Sequence, residues 1–166
     1  MSKHFSPTRI NTLILLLLIA GPLTQAQEAC NLPGAAENLK RAEAFLADNK
    51  NKDGVITTES GLQYRIVQAG TGDKHPRSRD MVSTHYTLRN LDGNKIDSSF
   101  DRSMPLQFVV TEVIAGWQEA LQLMTKGQKI ELFVPPYLGY KCKGSPPAIG
   151  PNELLLFEVE LIDIVR

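Results

Sequence analysis

Five short runs between residues 62 and 164 leave this chain few ways to fold: LQYRIVQ (62–68), MVSTHYTL (81–88), LQFVV (106–110), KIELFV (129–134) and LLLFEVELIDI (154–164). They are rich in β-branched and aromatic residues and in apolar–polar alternation, the pattern of strands with one face buried. Gly-Thr-Gly at 70–72, Asp92-Gly93-Asn94 and Lys126-Gly127 separate them with turn chemistry. A short helical stretch, EVIAGWQEAL (112–121), lies among them and carries the chain's single tryptophan, Trp117. Strands in series with one short helix predict an α+β fold, an antiparallel sheet with the helix over one face. A ring as large as Trp117 then either plugs the core or floors a concavity, and the pattern by itself leaves both open.

The segment before these strands divides in two. Lys3 and Arg9, the apolar run LILLLLIA (13–20) and the small residues of Thr24-Gln25-Ala26 have the layout of an export signal, expected at 1–26 and removed by cleavage. The run falls short of the roughly 20 apolar residues a membrane-spanning helix needs, so no membrane attachment is expected after cleavage. Gln27-Glu28 before Cys30 are polar where a lipid-attachment site wants apolar residues. Removing Lys3 and Arg9 from 18 basic residues, with none of the 18 acids, leaves a net charge of about −2. That balance offers no footprint for nucleic acid or an anionic membrane. The remainder suffices for one domain with one core.

Residues 27–59 form an N-terminal segment, in which AAENLKRAEAFLAD predicts an amphipathic helix over 35–48. Ala35, Leu39, Ala42 and Leu46 share a stripe, with Glu37 and Arg41 spaced to pair at i, i+4. So thin a stripe predicts a helix that lies on the domain or links to it. The helix ends in NKNKDG (49–54), which imitates half of a calcium loop, but Ser60 stands where the bidentate carboxylate belongs.

Cys30 and Cys142 are the only cysteines, and an exported chain meets a compartment where such a pair forms disulfides. Spacing alone does not decide between pairing and two separate thiols. Pairing would tie the N-terminal segment to the loop after Tyr140. No metal site is expected, because His75 and His85 have no Cys or carboxylate at ligand spacing. Ser98 and Ser99 lack a nucleophile elbow, and no C-x-x-C is present.

HYTLRNLDGNKIDSSFDRSMPLQF, EVIAGWQEALQLMTKGQKIELFVPP and NELLLFEVELIDI contain in order D-S-S-x-D-R, E-V-I-x-G-W, G-Q-x-x-x-L-x-x-P-x-x-x-x-Y and F-x-V-E-L. This set, over 60–166, resembles the FKBP-type peptidyl-prolyl cis-trans isomerases. The helix leading into TTESGLQYRIVQAGTGDK is similar to their exported bacterial branch, related to the macrophage infectivity potentiator proteins. The resemblance implies a half-open sheet of five to six strands wrapped around the short helix, with a proline pocket between them. Trp117 would be its floor, with Tyr86, Leu106, Val113, Ile114 and Phe157 as walls and Ile96 adding apolar surface. Tyr140 would offer its hydroxyl and Ile114 its backbone N–H, Asp97 would sit at the rim, and Ile149 would close the pocket from the last long loop. The implied function is isomerisation of X-Pro bonds in exported polypeptides, most naturally in a bacterial periplasm, with no cofactor. In that branch a longer N-terminal helical region makes a dimer; the short helix here predicts a monomer.

Such chemistry needs no nucleophile. Rotation about an X-Pro amide loses resonance, at a barrier of roughly 18–20 kcal/mol. A pocket that strips water from the amide carbonyl favours the less polar twisted state, and donors matched to that geometry add differential binding. Ile96 and Leu106 stand where the family commonly has phenylalanines, Ser145 where it often has histidine, and Lys141 and Gly150 where it has glycine and proline. These departures imply altered substrate preference and weak macrolide binding. The competing expectation is a chaperone that holds unfolded chains in the same apolar cleft without catalysis.

Overall fold

A computed structural model describes residues 30–165, so the expected export signal lies outside the described residues. The chain runs through α1 (Ala35–Asn49), β1 (Val55–Thr57), β2 (Gln63–Gln68), β3 (Met81–Arg89), β4 (Lys95–Ser98), β5 (Leu106–Val109), α2 (Ala115–Leu123), β6 (Lys129–Val134) and β7 (Leu155–Val165). All five expected runs form strands. Two short ones join them, β1 and β4, giving seven strands in one antiparallel sheet: six in the order β1-β2-β6-β7-β3-β4, with β5 also paired to β3. Both additions have three or four residues, too few for an alternation to stand out.

The edge beside β3 is split. β5 pairs the first half of β3, from Met81↔Val109 to Thr84↔Leu106, while β4 pairs the second half at Thr87↔Ser98 and Leu88↔Asp97. Between them the chain leaves the edge in a single 3₁₀ turn, Phe100–Arg102. At the gap between the two strands Ser99 bridges to Tyr86, its N–H donating to Tyr86 O at 3.0 Å.

Alternation decides which face is buried. Ile130, Leu132 and Val134 of β6, Leu155, Phe157, Val159 and Leu161 of β7, and Val82, Tyr86 and Leu88 of β3 belong to one core. Across from them α2 presents Trp117, Ala120 and Leu121, with Met124 one turn on, at the i, i+3, i+4, i+7 spacing of a helix face. Each fully buried Leu or Val contributes about 1.5–3 kcal/mol relative to exposure. Gly116 lets α2 sit this close: a Cβ there would come within 2.7 Å of Val134 Cγ1.

The N-terminal helix lies on its own domain. Ala35 and Ala42 are fully buried, Phe45 packs against Phe133 with ring centroids 5.8 Å apart, and Asn49 Nδ2 donates to Gln63 Oε1 at 3.0 Å. One expected pair is replaced: Arg41 reaches Asp92 Oδ1 at 2.5 Å, and no ion pair joins it to Glu37. A partner fixed in the β3–β4 turn wins over one on the helix's own surface, where such pairs contribute little. Cys30 and Cys142 form a disulfide with a Cα–Cα distance of 5.5 Å, across 112 positions of sequence. Among the described residues no helix is long and apolar enough to cross a membrane.

Candidate active site

The site starts from the split edge. Ser98 and Ser99 are buried at 2 % and 0 % exposure, and their hydroxyls bond the Tyr86 backbone: Ser99 Oγ accepts from Tyr86 N at 2.9 Å, and Ser98 Oγ donates to Tyr86 O at 3.2 Å. The two serines of D-S-S are therefore structural pins. They place Asp97 before them and Arg102 after them, both at the Tyr86 hydroxyl. Tyr86 donates its hydroxyl to Asp97 Oδ2, while Arg102 donates from Nη1 to Asp97 Oδ1 at 2.8 Å and from Nη2 to the Tyr86 oxygen at 2.8 Å. The guanidinium also lies 5.8 Å from the Tyr86 ring centroid.

This triangle has a definite charge state. For Asp97, burial is the largest single influence and works to raise the pKa; the Arg102 and Tyr86 hydrogen bonds, the Ser98 N–H and the Arg102 charge together outweigh it and hold the carboxyl below its usual 3.8. For Tyr86, burial first and then the bond to Asp97 push the phenol above its ordinary 10.0, against the pull of Arg102. At neutral pH the rim is a carboxylate, a neutral phenol and a guanidinium.

Beneath it opens a cavity of about 470 Å³. Trp117, 5 % exposed, lines it and meets three rings: Tyr86 edge-on at 5.4 Å, Phe157 edge-on at 5.2 Å and Phe108 tilted at 5.7 Å. The indole Nε1 is buried with no hydrogen-bond partner among the described residues, so the ring serves as an apolar plate, and its contacts offset the desolvated N–H. From within α2, Gln118 Nε2 donates back to Val113 O at 2.7 Å and to Thr111 O at 3.3 Å, fixing the loop that enters the helix. Val113 and Ile114 therefore face the cavity as wall, and among the described residues the Ile114 N–H has no acceptor in the protein. Tyr140 stands at the mouth, 38 % exposed, its hydroxyl likewise unpaired among the described residues.

Of the ten residues expected around a pocket, eight line the cavity: Tyr86, Asp97, Leu106, Val113, Ile114, Trp117, Tyr140 and Phe157. Ile96 and Ile149 do not. Ile96 is half-buried against the core. Ile149, 6 % exposed, is drawn into the core because the loop folds back on itself through paired Ser145–Ile149 backbone bonds of 2.9 and 3.0 Å. Phe108, Leu88 and Glu112 also line the cavity, and Arg102 holds its rim. Arg102 had a signal in the sequence, as the last letter of D-S-S-x-D-R. Phe108 had one too, two positions from Leu106 and hence on the same strand face.

A half-open sheet closed by one helix over an aromatic cavity, with Asp97 at its rim, is the arrangement implied by the resemblance to the FKBP-type isomerase class. The family model described as FKBP-type peptidyl-prolyl cis-trans isomerase matches residues 72–162, and the chain belongs to that family. A second model, the domain amino terminal to such isomerases, matches 18–66. The chain is 46 % identical over 129 residues to a peptidyl-prolyl cis-trans isomerase Mip of Coxiella burnetii, covering 78 % of this chain and 56 % of that protein. It is 45 % identical over 132 residues to an outer membrane protein MIP of Legionella longbeachae, covering 80 % of this chain and 56 % of the relative. A crystal structure of a peptidyl-prolyl cis-trans isomerase from Pseudomonas syringae superposes with a TM-score of 0.74 at 33 % identity, covering 82 % of this chain and 98 % of that one. The chain spans about half the length of the curated relatives it matches.

Proposed function

We propose that the protein catalyses cis–trans isomerisation of X-Pro bonds in exported polypeptides, as a monomer in the bacterial periplasm. The observation that carries this reading is the cavity floored by Trp117, with unpaired donors at Ile114 N and Tyr140 Oη on its wall and mouth. A proline ring enters the aromatic box and loses its water. Ile114 N–H and the Tyr140 hydroxyl hold carbonyls flanking the ring, so the chain on one side is fixed while the amide turns. The rotating carbonyl faces apolar walls and the Asp97 carboxylate, an environment that disfavours the negative oxygen of the planar amide more than that of the twisted one. No bond to substrate is made or broken. The disulfide supports an oxidising compartment. The buried face of α1, spent on its own domain, supports a monomer.

Isomerisation of proline peptides, with the residue before proline varied, tests this reading beside an aggregation assay on an unfolded client. Acceleration above the uncatalysed rate sustains it. Suppressed aggregation without acceleration replaces it with a chaperone that only holds chains.

A further inference from the structure

We propose that the N-terminal segment is a strap that positions Tyr140, through the Cys30–Cys142 bridge and Asn38. The proposal rests on the isomerase reading, in which the Tyr140 hydroxyl touches substrate. Its observations come from the loop that carries Tyr140 and from the N-terminal segment bonded to it.

The connection from β6 to β7 contains no strand and only two single 3₁₀ turns, Pro136–Leu138 and Lys141–Lys143. Connections of this length are either mobile or anchored by side chains. Between Tyr140 and Gly150 most residues are exposed, and Ile149 is the one large apolar anchor that is buried. The two legs of the loop meet at its base, where Asn152 N donates to Lys141 O at 2.8 Å.

Both legs rest on the N-terminal segment. On the outgoing leg Cys142 is bonded to Cys30. On the returning leg Asn38 Nδ2 donates to Pro151 O at 2.9 Å, and Asn152 Nδ2 donates to Ala35 O at 3.3 Å. The helix offering these contacts is itself fixed at three further places: Arg41 to Asp92, Phe45 to Phe133 and Asn49 to Gln63. Tyr140 precedes Cys142 by two residues, and among the described residues its side chain has no hydrogen bond to aim it. The direction of the hydroxyl is therefore set by the backbone at 140–142, which the bridge holds. Displacing such a group by about 1 Å can cost up to about 100-fold in rate.

A double-mutant cycle tests the coupling. With the bridge intact, Tyr140→Phe is expected to lower kcat/KM about ten-fold; in the Cys30→Ser, Cys142→Ser double variant the same change is expected to cost less than about three-fold. Hydrogen exchange at the Gly144 and Asn152 amides, which close onto Tyr140 O and Lys141 O, is expected to quicken at least about ten-fold without the bridge, while the β7 core amide of Val159 moves less. Equal Tyr140→Phe factors in the two backgrounds, or unchanged Gly144 exchange, overturns the proposal. Should the bridge-free chain not fold, oxidised Asn38→Ala takes its place in both measurements. An inactive wild type removes the isomerase reading instead, and the exchange rates, which need no substrate, still decide whether the strap holds the loop.

Discussion

Asp97 shows how much one residue carries at this rim. Its folded-state pKa is depressed, so its contribution to stability is present above the unfolded value near 3.8 and is lost as pH falls below that through the lower folded value. The stability gap between wild type and Asp97→Asn should therefore be constant at neutral pH and shrink below about pH 4, as denaturant melts across that range would show. Arg102→Gln should move the Asp97 titration upward, readable from the carboxyl carbon shift, since it removes a hydrogen bond and a charge that both favour the ionised form. Thr84 is the opposite case: fully buried, with Oγ1 lacking a partner among the described residues. Thr84→Val keeps the shape and removes the unpaired hydroxyl, so it should stabilise by about 1 kcal/mol in urea denaturation. Asp97, Trp117 and Tyr140 were legible in the sequence because ordered motifs name them, and Tyr86 because the run HYTLRNLDG carries it in the same resemblance. The Arg102 bonds were not, since they depend on a 3₁₀ turn that brings residue 102 back to residue 86. Thr84 was invisible, because an unpaired hydroxyl has no pattern.

Among the elements, α2 sets the depth of the cavity. Its approach to β6 depends on Gly116, and Gly116→Ala puts a methyl 2.7 Å from Val134 Cγ1. The expected cost is about 1–3 kcal/mol, measured by thermal melts, and Gly116→Ala with Val134→Ala should recover part of it by making room. A Gly116→Ala chain as stable as wild type would contradict this packing. The glycine stands in the sequence beside the tryptophan, but its reason lies on β6, a strand distant from it in sequence. The five long strands were legible from alternation. β1 and β4 were not, because three or four residues carry too little periodicity, and their place was decided by pairing with Gln63–Gln68 and the second half of Met81–Arg89. The N-terminal helix was legible as a helix, while its docking was not. Much of that docking comes from polar contacts of Asn38, Arg41 and Asn49, which an apolar stripe does not register.

For the whole molecule, the bridge closes most of the described chain into one loop, with a chain-entropy stabilisation of about 4–5 kcal/mol as an upper guide. Reduced protein should therefore unfold at lower denaturant concentration than oxidised protein, and equal midpoints would contradict the bridge. The pairing was legible only as one of two alternatives, since sequence does not show that residues 112 positions apart approach. The path of the 140s loop was legible in part: Tyr140 reaches the mouth, and Ile149 turns into the core because of the Ser145–Ile149 pairing. What joins fold, rim and cavity is the claim that the Trp117 box turns over X-Pro amides. Isomerisation rates of proline peptides with wild type, Trp117→Leu and Asp97→Ala test it most directly. The expected result is acceleration by wild type and at least about a ten-fold loss of kcat/KM in each folded variant. A wild type that does not accelerate the reaction, or two variants as active as wild type, would contradict it.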